Sequence, residues 1–457
     1  MTASDLPALL SAALIGIERA PLPTPGPDAT GQAAARVTRD DPAGTLLARA
    51  ALLTLAATAG RQPDPPAPAP TPAPSDPRPE APARAARHLP HLGGPLLHEW
   101  LTLCHAHGYR VPALHLPRLL TLATQDRSLR VPLARVLGER GRWLAHHADS
   151  PALAHADAPD EPTWAALSDT DRDTLHRVLR ALNPGAARAL LRTQFDTERA
   201  ASRKRLLSAV LDTLSDDDHT LEPLLEGALD DRSPDVQTLA RQTLQRLRRS
   251  ALNARLAAAL HDPGTPPNPR DGLSGGPQAR LSHVLRHAHP DALLHATPGG
   301  PPALITLARD HHLLDDLIAG TLTHRHQPLA QALLAHASTP ALRALADPAR
   351  TLQGGLHARD PDLILAALAH HPTPWTPEDS HAILALLQDT LRHVDHPSQW
   401  PQRWRTLHDH AHHLHPDTTP PPPLPPDAPH HAQSVWHDLT STLDTRRQIR
   451  HDFKEHP

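Results

Sequence analysis

Residues 220–247, TLEPLLEGALDDRSPDVQTLARQTLQRL, constrain what this chain can fold into more than any other stretch. The first half carries Leu221, Leu224, Leu225, Ala228 and Leu229. The second carries Val236, Leu239, Ala240, Leu244 and Leu247, at the three-and-four spacing of a stripe that has to be buried. Between them lies the polar turn Asp230-Asp231-Arg232. Ser233 stands where an N-cap belongs and Pro234 takes the first helical position, where its missing N–H costs nothing. The pattern predicts an antiparallel helical pair over 219–229 and 234–248. A helical hairpin with an aspartate-rich elbow is the signature of a HEAT-type repeat, which covers its apolar face only against a neighbour.

Composition extends that expectation to the whole chain. Apolar residues make up 39% of the 457, yet Phe numbers 2 and Tyr 1, and the bulk is Ala, Leu and Val. Ala and Leu favour helices, while the residues that strands prefer are scarce. The fold class expected is all-α, a HEAT-like helical-repeat solenoid with Pro-rich linkers. The 54 prolines belong at first turns and in loops. Lysine occurs only at Lys204 and Lys454, and the excess of Ala, Arg, Pro and His matches the codon bias of a GC-rich genome. Net charge is −4 with His neutral, so no global field draws the chain to nucleic acid or anionic lipid. Adding 37 imidazolium charges gives +33, so acid sensitivity is expected. Cys104 stands alone, which excludes internal disulfides and cysteine-based zinc clusters. No basic leader precedes the first apolar run, and no run reaches the ~20 apolar residues of a bilayer span. A cytoplasmic protein without membrane contact is expected.

The organisation expected along the chain is N-terminal helices over 1–60 and a Pro-rich linker over 61–87. A HEAT-like domain follows over 88–260, then a Pro/Gly-rich break over 261–277. A C-terminal helical region spans 278–415, a second Pro-rich linker 416–429, and a terminal helix 430–457. The linker reading rests on Pro63–Pro82, where ten of twenty residues are proline.

Few residues offer chemistry. Gly272-Leu273-Ser274-Gly275-Gly276 spells GxSxG, but DPGTPPNPRD before it cannot be the strand a nucleophile elbow requires. Neither lysine follows a glycine as a Walker A demands, and no HExxH occurs. His408, His412 and His415 fall at i, i+4 and i+7, a spacing that suits zinc, nickel or cobalt on one helix face. A composition-driven, solvated run explains them better, so no metal, cofactor or catalytic residue is assigned. Arg199, Arg203, Lys204 and Arg205 cluster on one helix, yet Asp216–Asp218 and Asp230-Asp231 lie nearby. Nucleic-acid binding is therefore not the leading expectation. Within Gly-Glu-Arg-Gly-Arg-Trp, 138–143, two glycines in a helix point to close backbone approach or to a kink that positions Trp143, and Trp143 reads as a buried anchor. Gly138, Arg140, Gly141, Arg142 and Trp143, with Asp230, Asp231 and Arg232, are the candidate docking or structural residues.

These residues carry a resemblance. ALIGIER at 13–19, LLHEWLTLCHAHGYRVP at 96–112, VLGERGRWLA at 136–145 and LLEGALDDRSPDVQTLARQTLQRLRRSALNAR at 224–255 resemble an uncharacterised bacterial family. The likeness continues weakly through PDLILAALAHHPTPW and the terminal DTRRQIRHDF. Members are typically encoded beside a MoxR-type AAA+ ATPase, a von Willebrand A-domain protein and a SWIM zinc-finger protein. The resemblance implies a scaffold or adaptor with a MoxR-type or von Willebrand A-domain partner, and supplies no catalytic residue. Gln237 stands where HEAT repeats usually have arginine, which counts against a regular arginine ladder. The leading reading is a non-catalytic helical-repeat adaptor. A nucleic-acid-binding solenoid is the alternative, and a His-dependent metal hydrolase ranks third.

Overall fold

Wherever apolar residues recur three and four apart, the chain is helical, and proline often marks the start. Helices Pro184–Gln194, Pro234–Arg246, Pro277–His287, Pro290–Ala296, Pro340–Ala346, Pro348–Ala358 and Pro361–Leu368 all begin on one. Its fixed φ suits the first turn, and its missing donor is one the helix would not have used. The computed structural model describes residues 5–59, 71–148, 150–155, 157–262, 264, 268–371, 374–392 and 402–454. Among these no strand occurs, and the only β-type pairing is a bridge between Glu80 and Arg110. The fold is all-α.

The chain divides into two units, Met1–Pro72 and Ala73–Pro457. The first holds helices Asp5–Ile15, Ala29–Ala35 and Pro42–Ala59 around a small core of Leu9, Ala12 and Leu46. Helix Pro42–Ala59, at 18 residues, is long and apolar enough to cross a bilayer, contrary to the expectation that no such run exists. It leaves Leu47 and Leu55 exposed within its own unit.

The second unit contains three apolar cores. One gathers Leu89, Trp100, Cys104 and Leu137, another runs from Ala152 to Ala346, and a third from Leu352 to Leu443. Within the middle core, Asp169–Leu182 packs on Ala200–Asp212, which packs on Pro234–Arg246. Further along, Pro277–His287 packs on Leu314–Thr323. Ion pairs follow the same progression. Arg177–Asp212, Arg180–Asp218, Arg203–Asp231, Lys204–Asp235, Arg255–Glu226, Arg286–Asp316 and Arg359–Asp389 each join residues 28 to 38 apart. Each therefore ties one helix or elbow to its successor.

The hairpin forms as helices Glu222–Ala228 and Pro234–Arg246, preceded by a 3-10 turn over Asp216–Leu221. Leu225, Leu229, Val236, Ala240 and Leu244 are buried. Leu239 is only half-buried, packed at the rim of the core, because it sits at the edge of the stripe. Ser233 holds the extended backbone of an N-cap without its side chain capping. The Asp231 carboxylate does the local work instead, accepting the Ser233 N–H at 2.8 Å, while Gln237 Nε2 donates to the Asp231 carbonyl at 2.7 Å.

The spacer expectation fails where the proline blocks are described; residues 60–70 lie outside the described residues. Beyond them, Ala81 N donates to Arg110 O and Arg110 N to Pro79 O, both at 2.9 Å, and Ala81, Ala85 and Ala86 are buried. Proline removed donors here, but the remaining carbonyls and N–H groups found partners. In 416–429, Thr418 is buried, its carbonyl accepts from Arg447 Nη2 at 3.1 Å, and Gln388 donates to the Pro422 carbonyl. In the central break, Asp271 is buried and accepts from Arg255 Nε at 2.8 Å.

Nor is the terminal helix detached. His430–Lys454 buries Ala432, Trp436, Leu439 and Leu443 in the third core, and Ile449 and Phe453 in the first. Glu99 accepts from Arg446 and from Arg450, the latter at 2.9 Å, and Asp452 meets His88 at 2.8 Å and Arg87 at 3.1 Å. The Phe453 ring lies 5.3 Å from Trp100 and 5.6 Å from His107. Emptying that space should destabilise the body by about 3–5 kcal/mol. Urea unfolding of Phe453→Ala checks this, and an unchanged midpoint would show that the helix end contributes nothing.

Candidate docking site

The Gly-Glu-Arg-Gly-Arg-Trp block opens helix Gly138–His147, immediately after helix Arg130–Val136. Gly138 makes the break possible. Its φ is +67°, and an added Cβ would lie 2.3 Å from Asp76 Oδ2. That carboxylate, brought from 63 residues upstream, accepts the Glu139 N–H at 2.8 Å and the Arg78 N–H at 2.9 Å. Burial would raise the Asp76 carboxyl pKa. These backbone donors and the Arg78 guanidinium outweigh it and hold the carboxyl below its usual range. Arg78 Nη1 in turn donates to the Arg135 carbonyl at 2.9 Å. Gly141 allows close approach within the helix and beyond it, since a Cβ there would sit 2.8 Å from Leu137 and 3.2 Å from Leu116.

The two glycines are thus structural, while the other three residues face outward to different degrees. Arg142 pairs with Glu139. Trp143 is half-buried rather than the buried anchor expected, with its ring edge-on to His147 at 4.6 Å. Arg140 is exposed and forms no ion pair among the described residues. The buried indoles lie elsewhere. Trp100 donates to the Ala85 carbonyl at 2.8 Å, Trp164 donates to Glu198 at 2.8 Å, and Trp375 is sealed in the third core.

Asp230, Asp231 and Arg232 occupy the hairpin elbow between helices of the middle core, whereas the 138–143 block belongs with the first. Asp231 is held by Arg203 at 2.9 Å, and Asp230 by Arg270 at 2.9 Å. Arg232 is exposed. The basic cluster beside them is half engaged, because Lys204 also meets Asp235 at 2.7 Å.

The histidine triplet does not share a helix face. Helix Gln402–Asp409 gives way to a 3-10 turn over His410–His413, and His415 lies beyond it. Among the described residues no group of three or more His, Cys, Asp or Glu is placed to hold a metal. Ser274 follows Gly272, a left-handed residue closing a 3-10 turn, so the GxSxG string has no strand-to-helix elbow. Cys104 is buried, and burial pushes its thiol up to about 12.

Two polar centres escaped the sequence reading. Arg180 and Asp218 form a bidentate pair at 2.6 and 2.8 Å, both side chains almost wholly buried. Ser215 and Asp218 make a capping box, a spacing that was legible in Ser-Asp-Asp-Asp. One turn before Arg180, His176 is buried with both ring nitrogens lacking a partner. Nothing in the sequence distinguished it from 36 other histidines.

Burial first, then the neighbouring Arg180 and Arg177, pushes His176 down to about 3, and burial likewise pushes His289 down to about 4. In the unfolded chain both titrate near 6.5. Their neutral forms therefore support folding fully above pH ~6.5. As pH falls from there towards the folded values, stability should drop by on the order of 1 kcal/mol per pH unit for each. Thermal melts of His176→Leu should show a gain over the wild type that grows between pH 7 and pH 5. A parallel pair of curves would remove His176 as a source of acid sensitivity.

No curated protein and no solved structure matches the chain. One family model does, over residues 8–263, a range that takes in both the 138–143 block and the Asp230–Arg232 elbow. The chain belongs to the DUF5691 family, a family of unknown function.

Proposed function

We propose that this chain is a non-catalytic, HEAT-like helical-repeat adaptor acting in the cytoplasm. Its partner in this reading is a MoxR-type AAA+ ATPase or a von Willebrand A-domain protein. The observation that carries the reading is the recurrence of ion pairs 28 to 38 residues apart along one continuous apolar core. Such pairs are what stacked helical hairpins make with their neighbours, and stacked hairpins present extended docking surfaces. The choice of partner rests on the resemblance carried by 136–145 and 224–255.

Arg140, with the half-buried Trp143 beside it, supplies the residue types that dominate protein interfaces. Arg232 offers a second exposed guanidinium at an elbow. Affinity purification of the tagged full chain from its host should recover the ATPase or the von Willebrand A-domain protein from the soluble fraction. Arg140→Ala combined with Trp143→Ala should weaken that binding by about 2 kcal/mol, roughly 30-fold. Because Trp143 is only half-buried, its truncation should cost less stability than that of a fully buried indole. Retention of both partners by the double variant would overturn this docking site. Sedimentation of the chain with membranes through Pro42–Ala59 would overturn the cytoplasmic assignment.

A further inference from the structure

A cavity of about 480 Å³ opens where four chain segments meet: the loop after helix Ala200–Asp212, the loop after Pro234–Arg246, the turn at His289 before Pro290–Ala296, and the end of Leu314–Thr323. Arg246, Arg248 and Arg325 line it together with His289 and His324. Neither the Arg246 nor the Arg325 side chain forms an ion pair or hydrogen bond among the described residues, and both residues are exposed. Arg248 has only a loose contact, 3.9 Å from Asp291, with 62% of its side chain exposed. Two carboxylates share the wall. Asp212 is taken by Arg177 at 2.9 Å and Asp216 has no partner among the described residues, so two free guanidiniums and the loosely held Arg248 face one available carboxylate.

The histidines add a fixed donor. His289 Nδ1 accepts the Asp291 N–H at 3.2 Å, which places the ring proton on Nε2. Its backbone is pinned as well, because His289 N donates to Asn253 Oδ1 at 2.9 Å. Nε2–H has no protein acceptor among the described residues. Burial keeps both His289 and His324 down at about 4, so at neutral pH the pair brings hydrogen bonding without charge.

Arg325 is placed at a conformational cost. It has φ +50° just past helix Leu314–Thr323, where His326 N donates to Thr321 O at 3.0 Å and closes a Schellman turn. Glycine is the default at that position, and an L-residue there is strained. At the equivalent strained position Arg359, the side chain reaches Asp389 at 2.6 Å. Arg325 has no such carboxylate and lines the cavity instead.

We propose that this cavity binds a phosphate-class oxyanion, a phosphomonoester or pyrophosphate group, held by Arg246, Arg248 and Arg325 with His289 Nε2–H as a neutral donor. Guanidiniums suit this chemistry because their planar N–H pairs match phosphate oxygens two at a time. The cavity is large enough for one such group with a small organic substituent.

Calorimetric titration of the full chain with sodium pyrophosphate at low ionic strength should show one saturable site. Arg246→Gln and Arg325→Asn should each weaken binding about tenfold. Asparagine is chosen at 325 because it tolerates the left-handed backbone. Asp216→Asn should strengthen binding, an effect of opposite sign that no loss of fold can mimic. Absence of saturable binding would overturn the site, as would undiminished binding by the Arg246→Gln/Arg325→Asn variant. So would tight binding of a short oligothymidylate through these arginines without binding of pyrophosphate, because the occupant would then be a nucleic-acid backbone.

Discussion

A helix of fourteen residues or fewer is marginal in water on its own, and every described helix of 73–457 is that short except Pro377–Arg392 and His430–Lys454. Each persists because other helices cover its apolar stripe, often from two or three elements further along the chain. A body held this way is weakest where an end helix leaves one face without a neighbour. Here the last helix answers that problem. His430–Lys454 lies in the third core with Trp436 and Leu439, and reaches the first with Ile449 and Phe453. The first and third cores are joined by this helix, so the beginning of the body depends on its end. Glu99 and Asp452 fix the register of that closure with charged contacts, while Phe453 on Trp100 supplies the buried area.

Local periodicity made the helices and the Asp230–Arg232 elbow legible, because spacing at three and four is a property of neighbours in sequence. Long-range partnership was not legible. Nothing near Asp76 announced that its carboxylate would cap a helix beginning at Gly138, and the surrounding prolines argued for a spacer. Proline density reports lost donors, but says nothing of whether the remaining carbonyls meet an arginine, as Thr418 O meets Arg447 and Arg78 O meets Arg110. Trp143 shows the same limit at one residue. Its helix position was readable, but its half-burial depends on which helices happen to reach it. The glycines of the block were a sounder guide, since positive φ and absent Cβ volume are needed wherever Gly138 and Gly141 are found.

The polar interior works under two opposing costs. Arg180 and Asp218 are withdrawn from water, and such a pair regains its desolvation only through tight geometry and further hydrogen bonds. Thr213 supplies these, accepting Arg180 Nε at its hydroxyl and Nη2 at its carbonyl, both at 2.8 Å, while Ser215 N donates to Asp218 at 2.9 Å. His176, in the same helix as Arg180, has no such compensation. A satisfied pair and an unsatisfied ring one turn apart mean that the region is specified by charge geometry more than by maximal stability. The recurrent Arg–Asp links elsewhere are half-exposed, and contribute modestly one by one.

The family match ends at residue 263, and the structure shows that this is not a boundary of the fold. Helix Ala251–Ala259 packs against Pro277–His287 and Pro290–Ala296, both beyond that point. Asn253 ties the two sides directly. Its amide donates to the carbonyls of Leu244, Gln245 and Leu247, and its carbonyl oxygen accepts from His289 N at 2.9 Å. All four groups are inside the body, so cutting the chain at 263 would leave the Asn253 oxygen and the faces of Leu252 and Leu256 without cover. The core they belong to continues unbroken to Ala346, and closure of the first core waits on residue 453. From residue 73 onward the matched segment is therefore part of a packed unit that continues past it, and its residues there are held in place by helices it does not include.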